Sequence, residues 1–330
     1  MQQVSAPRIL LIVMLGCLVA SLPLFVPISH MPGVTRTVVL AGAAMTLNVL
    51  IGNTGLLSMG QGLFVGLGAY AVAIGGVKFG LSIFSGLALG LLASVALGGL
   101  VAAIALRARH LFFSLLTMAI GSVAYVFVTS SYQWTGGDDG LVGYPLPSWL
   151  QSDLEKHLFA VTVITAITIA ILLILASPFG VAMRAVRDNP ERVASLGANP
   201  KKVEFAAMVL AGALGTICGS VLAITDESVS PATTFSWMVS ANLMVMVAVG
   251  GRSMFLGPIL GVAIIESVRN YIQGFSEHSD LVVGGLIMCC AIAFPEGIGR
   301  TITDYVGRRG TGNRLGIFGT AKPLRGRGAR

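Results

Sequence analysis

Charged residues are scarce in this sequence. Its 330 residues include 21 Lys and Arg and 14 Asp and Glu, together 11% of the chain, against about 25% in soluble domains. So few charges cannot cover a water-facing surface. No polar linker divides the chain into the two or three domains that a soluble protein of this length would need. The sequence therefore excludes a soluble enzyme.

Residues that carry chemistry are also few. The four cysteines, Cys17, Cys218, Cys289 and Cys290, all lie in apolar stretches, and their spacing fits neither a zinc site nor a disulfide framework. No histidine falls inside a predicted membrane span, and no nucleophile lies beside a base in a recognisable pattern. The sequence thus offers no catalytic residue, no metal site and no cofactor site for an intramembrane enzyme.

A P-loop is missing as well. The Walker A motif needs a Lys directly after a Gly, so that backbone amides and the ammonium group together hold phosphate, and no Lys follows a Gly in this chain. The chain is therefore not expected to hydrolyse ATP by itself. A transport cycle would use an ATP-binding partner or an ion gradient, or would run passively.

Long apolar stretches dominate the sequence instead. Hydrophobic residues make up 55% of the chain and 42 residues are glycine. A helix of about twenty apolar residues spans a bilayer, and Gly lets such helices pack closely. The predicted spans are 9–27, 37–51, 55–77, 82–105, 111–130, 158–176, 204–224, 239–251, 255–272 and 281–298. The first is interpreted as uncleaved, because 22–25 is not a small-residue cleavage site. The short 37–51 and 239–251 segments are candidates for half-helices or re-entrant segments.

The distribution of charge predicts the orientation. Basic residues cluster after the fourth span, between the sixth and seventh, and after the last, whereas the 131–157 loop is acidic. Ten spans place every basic cluster on one side, which the positive-inside rule makes cytoplasmic. The predicted fold class is an all-α, polytopic membrane protein of about ten helices, within a range of eight to ten, with both termini cytoplasmic. The membrane domain is 1–298, and 299–330 is a basic tail predicted to be disordered, which could bind anionic lipid.

The net charge of +7 does not indicate a nucleic-acid partner, because no basic helix face with interleaved aromatics is present. The segment 177–200, within a predicted cytoplasmic loop at 177–203, is more informative. Pro178 can start one short helix, Asp188 or Asn189 can cap a second with Pro190 at its first position, and Gly197 can end it. Two capped helices form a rigid projection, which either receives a push from a soluble partner or merely joins two spans.

Several motifs resemble the LivM-type permeases of branched-chain amino acid ABC importers. They run in order over about 40–298: GLLSMGQGLFVGLGAY at 55–70, LFFSLLTMA at 111–119, TGGDDGL at 135–141, the 177–200 segment, VAVGG at 247–251, Gly257–Pro258 and FPEG at 294–297. In that family the 177–200 position resembles the loop that docks on the ATPase. Glu191, Ala194 and Gly197 match its Glu-x-x-Ala-x-x-Gly core.

The resemblance implies a permease subunit in the bacterial inner membrane. Its implied partners are two cytoplasmic ATP-binding subunits that bind the ATP and Mg²⁺, a second homologous permease, and a periplasmic or lipid-anchored substrate-binding protein. The second permease could be another gene product or a copy of this chain. The residues implied in coupling to the ATPase are Arg184, Arg187, Asp188, Asn189, Pro190, Glu191, Ala194 and Gly197.

Candidates for the translocation pathway are Gly55, Ser58, Gln61, Gly62, Gly66, Tyr70 and Glu266. The glycines among them also fit close helix packing. The family commonly has His where this chain has Gln61, and Gln cannot titrate near neutral pH. Glu266 lies three residues before Arg269, so the two can pair on one helix face or line a water-filled path.

Two questions stay open at the level of sequence. A secondary transporter or channel for a small polar solute, without an ATPase, would use Glu266 as a coupling carboxylate, although it would not need a capped cytoplasmic projection. The substrate is also open, because branched-chain amino acids, urea, amides and aromatic acids would all suit a neutral, Gly-lined path.

Overall fold

The computed structural model describes residues 6–24, 27, 30–108, 111–252 and 254–273, with residues 284, 285 and 288. The predicted last span, the basic tail, Cys289 and Cys290 lie outside these residues, apart from three positions of the span. The described helices are α1 (Ala6–Ala20), α2 (Met31–Asn53), α3 (Gln61–Phe79), α4 (Ile83–Ala105), α5 (Leu111–Ser130), α6 (Tyr132–Thr135), α7 (Asp153–Ala176), α8 (Pro178–Asp188), α9 (Pro190–Ser195), α10 (Pro200–Asp226), α11 (Pro231–Thr234), α12 (Trp237–Gly250) and α13 (Gly257–Gln273). Two short 3₁₀ turns lie at Leu22–Leu24 and Ser148–Leu150.

Seven stretches in the described part of the chain are long and apolar enough to cross a membrane: α2, α3, α4, α5, α7, α10, and α11 with α12 together. α1 contains a shorter apolar helix, Ile9–Ala20. The protein is therefore an all-α, multi-pass membrane protein. α4 and α5 agree with the predicted spans 82–105 and 111–130 to within one residue.

The predicted half-helix at 37–51 is wrong, because α2 is a continuous helix of 23 residues. The polar residues Thr35 and Arg36 lower the hydropathy of its first turns, so hydropathy alone places the start of the helix too late. Pro32 nevertheless favours a helix start there. Arg36 is accommodated because its guanidinium pairs with Asp226 at 2.7 Å. The second short segment does end up as a short helix, α12, which a break at Phe235 and Ser236 separates from the single turn of α11.

Two other predicted boundaries also need correction. α3 begins at Gln61 and not at 55, because 54–60 is non-helical and Gly55 has a φ of +76°. α7 begins at Asp153, where Ser152 and Glu155 form a capping box. The earlier start brings His157 inside a span, contrary to the prediction. His157 is fully buried, and its ring nitrogens lie 2.9 Å from Thr35 Oγ1 and 3.1 Å from the Val19 carbonyl oxygen.

The centre of the bundle consists of α2, α3 and α10. Small residues let α3 and α10 touch, since a Cβ at Gly68 would overlap the Thr216 carbonyl and one at Gly219 would overlap the Val65 carbonyl. α4 packs on α3 and α10 from the outside, and α5 lies further out. Both helices expose large apolar side chains, such as Phe112 at 74%. Such a surface suits contact with lipid or with another membrane subunit.

The two ends of the bundle differ in charge. The basic end contains the C-termini of α2 and α12, the N-termini of α10 and α13, and the α8–α9 segment. The described cations there are Arg107, Arg184, Arg187, Arg192, Lys201, Lys202 and Arg252. At the acidic end α2 and α7 begin and α10 finishes; its acids include Asp153, Glu155, Asp226 and Glu227. A two-stranded antiparallel ladder also lies there and pairs β1 (Leu141–Val142) with β2 (Ser228–Val229). Gly140 permits this ladder, because a Cβ there would overlap the Val229 carbonyl.

Candidate coupling and translocation site

The segment α8–α9 is built from local signals. Pro178 starts α8, whose Gly180, Met183 and Val186 are buried against the bundle. The Asn189 side chain caps α9 by accepting a hydrogen bond of 2.9 Å from the Arg192 backbone N–H. Gly197, with a φ of +86°, follows the end of α9. These starts and stops agree with the predicted pair of capped helices.

One face of α9 is free in the described structure. Of its six residues only Val193 is buried, so Glu191 and Ala194 are exposed, as is Gly197 beyond the helix end. Nothing lies within 4 Å of a Cβ placed at Gly197. Leu196, which the sequence analysis did not single out, is 80% exposed. Its position inside the Glu-x-x-Ala-x-x-Gly pattern is the signal that could have identified it.

Arg187 joins this segment to the membrane core. Its Nη1 donates a hydrogen bond to the Gly52 carbonyl, one of the last carbonyls of α2, which have no partner within the helix. A cation is also favourable at a helix C-terminus. Its Nε and Nη2 donate to Asp188 Oδ1 at 3.2 and 3.1 Å. A Cβ at Gly55 would lie 3.0 Å from Arg187 Cγ, so α8 abuts the break between α2 and α3.

Arg184 serves a more local contact. Its Nη1 donates to the Leu175 carbonyl at 3.0 Å, which fixes α8 against the end of α7. Burial, and secondarily the nearby charge of Arg187, lowers the pKa of Arg184 below its ordinary value. Among the eight coupling residues predicted from sequence, Arg184 and Arg187 hold the segment to the bundle, and Glu191, Ala194 and Gly197 face outward. The other three shape the segment itself: Asp188 pairs with Arg187, Asn189 caps α9 and Pro190 starts it.

The part of the α2–α3 break that adjoins α3 is buried inside the bundle, whereas Gly55 and Leu57 at its other end are exposed. Ser58 and Gln61 are each 1% exposed. Gln61 Nε2 donates to Thr46 Oγ1 at 2.7 Å and is 3.4 Å from the Ala211 carbonyl oxygen, so this side chain bridges α2 and α10. α5 holds the break from the other side, since the Met59 N–H donates to Thr117 Oγ1 at 3.1 Å.

The start of α3 meets the start of α12. The Gly62 N–H donates to Ser240 Oγ at 2.7 Å, while Ser236 caps α12 by accepting from the Met238 N–H at 3.2 Å. One turn further along α3, a Cβ at Gly66 would overlap the Phe235 ring. Two helix N-termini, which both carry positive partial charge, therefore lie side by side.

Tyr70 continues this face of α3. Its ring centroid is 5.5 Å from that of Phe235, and its hydroxyl has no hydrogen-bond partner among the described residues. The structure thus brings together five of the predicted pathway residues: Ser58, Gln61, Gly62, Gly66 and Tyr70. All five are buried by helices of this chain. Gly55 lies apart from them, beside Arg187 at the basic end.

Glu266 is also separate from this group. It lies on α13, which packs against α2 and α12, and is 4% exposed. Arg269 Nη1 donates to Glu266 Oε1 at 2.8 Å, as the three-residue spacing predicts. The carboxylate and the guanidinium compensate each other's charge in the bundle, and the Arg269 Nε is left buried without a partner among the described residues.

A bundle of apolar helices with breaks at its centre and a capped, partly exposed segment at one end is typical of membrane transport proteins. The family model of the permease component of branched-chain amino acid transport systems matches residues 31–291. The chain belongs to this family. It is the membrane permease subunit of an ABC importer, and such subunits work together with others.

Individual relatives agree with this assignment. The chain is similar to the high-affinity branched-chain amino acid transport system permease protein LivM of Salmonella typhimurium, at 27% identity over 291 residues, which cover 80% of this chain and 68% of that protein. The LivM protein of Escherichia coli is 26% identical over the same shares of the two chains. A probable LivH permease of Methanocaldococcus jannaschii is 27% identical over 124 residues, 37% of this chain and 38% of that protein. No solved structure matches the chain significantly.

Proposed function

We propose that this permease imports branched-chain amino acids and forms one half of the translocation pathway. The names of the LivM relatives support this substrate class. The group Ser58, Gln61, Gly62, Gly66 and Tyr70 is neutral, which suits a solute without net charge. In this proposal the α3–α12 contact opens during transport, and its two helix N-termini then face the pathway.

The proposed topology has ten spans, with both termini and the basic end in the cytoplasm of a bacterial cell and the acidic end outside the inner membrane. Successive long helices run in alternate directions between the two ends, which supports this arrangement, and the positive-inside rule gives its direction. The proposed domain division is a membrane domain, 1–298, and a basic tail, 299–330.

The proposed partners follow from the missing P-loop and from the family. Two cytoplasmic subunits bind the ATP and Mg²⁺, a second homologous permease completes the pathway, and a periplasmic or lipid-anchored binding protein delivers the substrate. The permease itself carries no catalytic residue or cofactor in this proposal, and the surrounding lipid contacts its apolar outer face.

The contact between Arg187 and the C-terminus of α2 is the observation that carries the coupling proposal. α9 presents its free face to an ATP-binding subunit, α8 is rigid and amphipathic, and Arg187 ties α8 to the α2–α3 break. A displacement of α9 by the ATPase would therefore reach the start of the α2–α3 break, whose other end is buried. The eight coupling residues named from sequence act in this chain of contacts, either as docking surface or as attachment.

Gly197→Arg tests the docking step. A side chain at this position points into open space, so the substitution should leave the bundle folded and place bulk where the ATPase docks. The expected result is normal abundance, weaker co-purification with the ATP-binding subunits and loss of transport. Gly197→Ala is the matched control, because it introduces the same strain at positive φ, about 1 kcal/mol, without the bulk.

The control should retain most of its transport. Transport by Gly197→Arg at the wild-type rate, with full association of the ATPases, would show that α8–α9 is only a connector. Equal loss in both variants would mean that backbone strain, and not docking, explains the defect.

A further inference from the structure

The acidic end of the bundle contains an open pocket where α2, α7 and α10 meet. Its volume is about 460 Å³, within the range of about 300–1,000 Å³ typical of small-molecule sites. Five charged side chains line it: Arg36 from α2, Asp153 and Lys156 from α7, Asp226 from the end of α10, and Glu227 just after it. None of these residues belongs to the coupling segment or to the α3–α12 group.

The charges in this pocket are only partly neutralised. Lys156, 6% exposed, pairs with Glu227 and also lies 3.7 Å from Asp153. One ammonium group is therefore shared by two carboxylates, and the pocket has one more acid than base. Arg36 donates one hydrogen bond, from Nη1 to Asp226 Oδ2 at 2.7 Å, and bonds no other described side chain. Because a guanidinium has five N–H donors and this side chain is 40% exposed, it can donate hydrogen bonds to a second carboxylate.

The backbone at Glu227 points the same way. Its φ of +53° makes it the one non-glycine residue with positive φ in the described parts of the chain. Gly or Asn usually occupies such a position after a helix, and other side chains are strained there. The fold keeps a carboxylate at this strained position, where it meets Lys156 in the pocket. Strain held at one position is a reason to look for a binding role.

We infer that this pocket binds the α-ammonium and α-carboxylate groups of a zwitterionic amino acid as it reaches the permease. The free N–H donors of Arg36 receive the ligand carboxylate, and the surplus carboxylate of Asp153, with Glu227, receives its ammonium. The uncharged part of the lining includes Pro32, Gly33 and Thr225, which form no deep apolar recess. The site therefore recognises the groups common to all α-amino acids and not the side chain. This inference rests on the proposed function.

Equilibrium binding of radiolabelled leucine tests the inference. The probe is applied to the assembled transporter, with all its membrane and ATP-binding subunits but without its binding protein, in lipid nanodiscs. Wild type should bind leucine, and Arg36→Gln and Asp153→Asn should each weaken binding roughly tenfold or more, as expected for loss of a charged hydrogen bond. Lys78→Gln and Asp139→Asn are matched controls, since both residues are exposed at the acidic end and do not line the pocket. The controls should bind leucine as wild type does.

Competition on the wild-type assembly tests which groups of the ligand are recognised, and it can overturn the inference even if the variants fail to assemble. Excess N-acetyl-leucine, which lacks the ammonium, and leucinamide, which lacks the carboxylate, should not displace leucine, whereas alanine should. Displacement by either derivative, or no leucine binding by wild type, overturns the inference. Unchanged leucine binding by both variants also overturns it, even if they respond less to the binding protein, which would mark a docking surface instead.

The proposed function is checked separately by uptake in proteoliposomes with the binding protein present. If wild type transports no amino acid, the proposed function fails and the inference fails with it. If wild type transports leucine while the two variants bind it normally, only the inference fails.

Discussion

Arg187 connects an exposed surface to a buried one. Its guanidinium bonds Asp188 on its own helix and the Gly52 carbonyl at the end of α2. A planar guanidinium can donate hydrogen bonds to two partners in different directions at once, which a Lys ammonium does less well. The side chain can therefore transmit a displacement of α8 to the break between α2 and α3.

Arg187→Ala should uncouple the transporter. Without the guanidinium, α9 still docks on the ATPase but the α2–α3 break no longer follows it. We expect normal abundance, normal co-purification with the ATP-binding subunits, and transport reduced at least about tenfold, the equivalent of one charged hydrogen bond. Transport and ATP hydrolysis measured in the same proteoliposomes check this. Arg107→Ala, at an exposed arginine of the same end, is the control, and an equal effect there would argue against a specific role.

Glu266 and Arg269 form an ion pair whose role can be tested by substitution. Glu266→Gln leaves the partly buried Arg269 without its counter-charge, which costs more than the pair contributes. We expect the free energy of unfolding in detergent to fall by about 1–3 kcal/mol, with transport per folded molecule nearly unchanged. The double variant Glu266→Gln with Arg269→Gln should recover part of that loss. A stable Glu266→Gln variant that has lost a dependence on a proton or sodium gradient would instead support a gradient-driven carrier.

Among the elements, α3 and α10 pack so closely that side chains of α10 bond to the backbone of α3. Thr216 Oγ1 donates to the Phe64 carbonyl and Ser220 Oγ to the Gly68 carbonyl, both at 3.1 Å. Such contacts require small residues, because the helix backbones must approach closely. The Gly-rich run of α3 therefore serves packing along the side that faces α10, while Gly62 and Gly66 face α12.

Gly68→Ala should destabilise the bundle. The new Cβ would overlap the Thr216 carbonyl, and overpacking of this kind costs about 1–3 kcal/mol. Gly121→Ala in α5 is the matched control, since nothing lies within 4 Å of its Cβ, and it should be neutral or slightly stabilising through helix propensity. Thermal unfolding of both purified variants in the same detergent compares them. Equal melting temperatures would mean that α3 and α10 can separate at little cost.

At the scale of the whole molecule, the two ends of the bundle carry opposite charge. The coupling segment lies at the basic end and the charged pocket at the acidic end, with the α2–α3 break and the α3–α12 contact between them. In the proposed function, the basic end meets the ATPase and the acidic end meets the substrate. The core helices α2, α3 and α10 connect the two ends.

Cysteine labelling tests the proposed topology. On a cysteine-free background, Asp138→Cys should react with a membrane-impermeant maleimide added outside the cell, and Arg187→Cys should react only after the membrane is permeabilised. Both parent residues are exposed, so failure to label would not reflect burial. Reversed labelling would show that the proposed orientation is wrong, with the α8–α9 segment on the side opposite to where ATP is hydrolysed.

Local signals in the sequence determined much of this protein. Low charge and long apolar runs fix the class, because backbone groups in a bilayer must be satisfied within helices. The bounds of α4 and α5, and the capped pair α8–α9, also follow from residues close in sequence: Pro178, Asn189 and Pro190 act within one turn of their own helix. The exposed part of the coupling segment was therefore predictable.

Tertiary structure decided the rest. The contact of Arg187 with Gly52 and the pairs of Arg36 with Asp226 and of Lys156 with Glu227 join residues that are distant in sequence. No local pattern encodes them, because they depend on which helices pack together and in what register. The same packing made α2 continuous through Arg36 and buried the Gly-rich face of α3. The sequence determined the class, the bounds of α4 and α5 and the caps of α8–α9, and the packing of the helices decided where their charges meet.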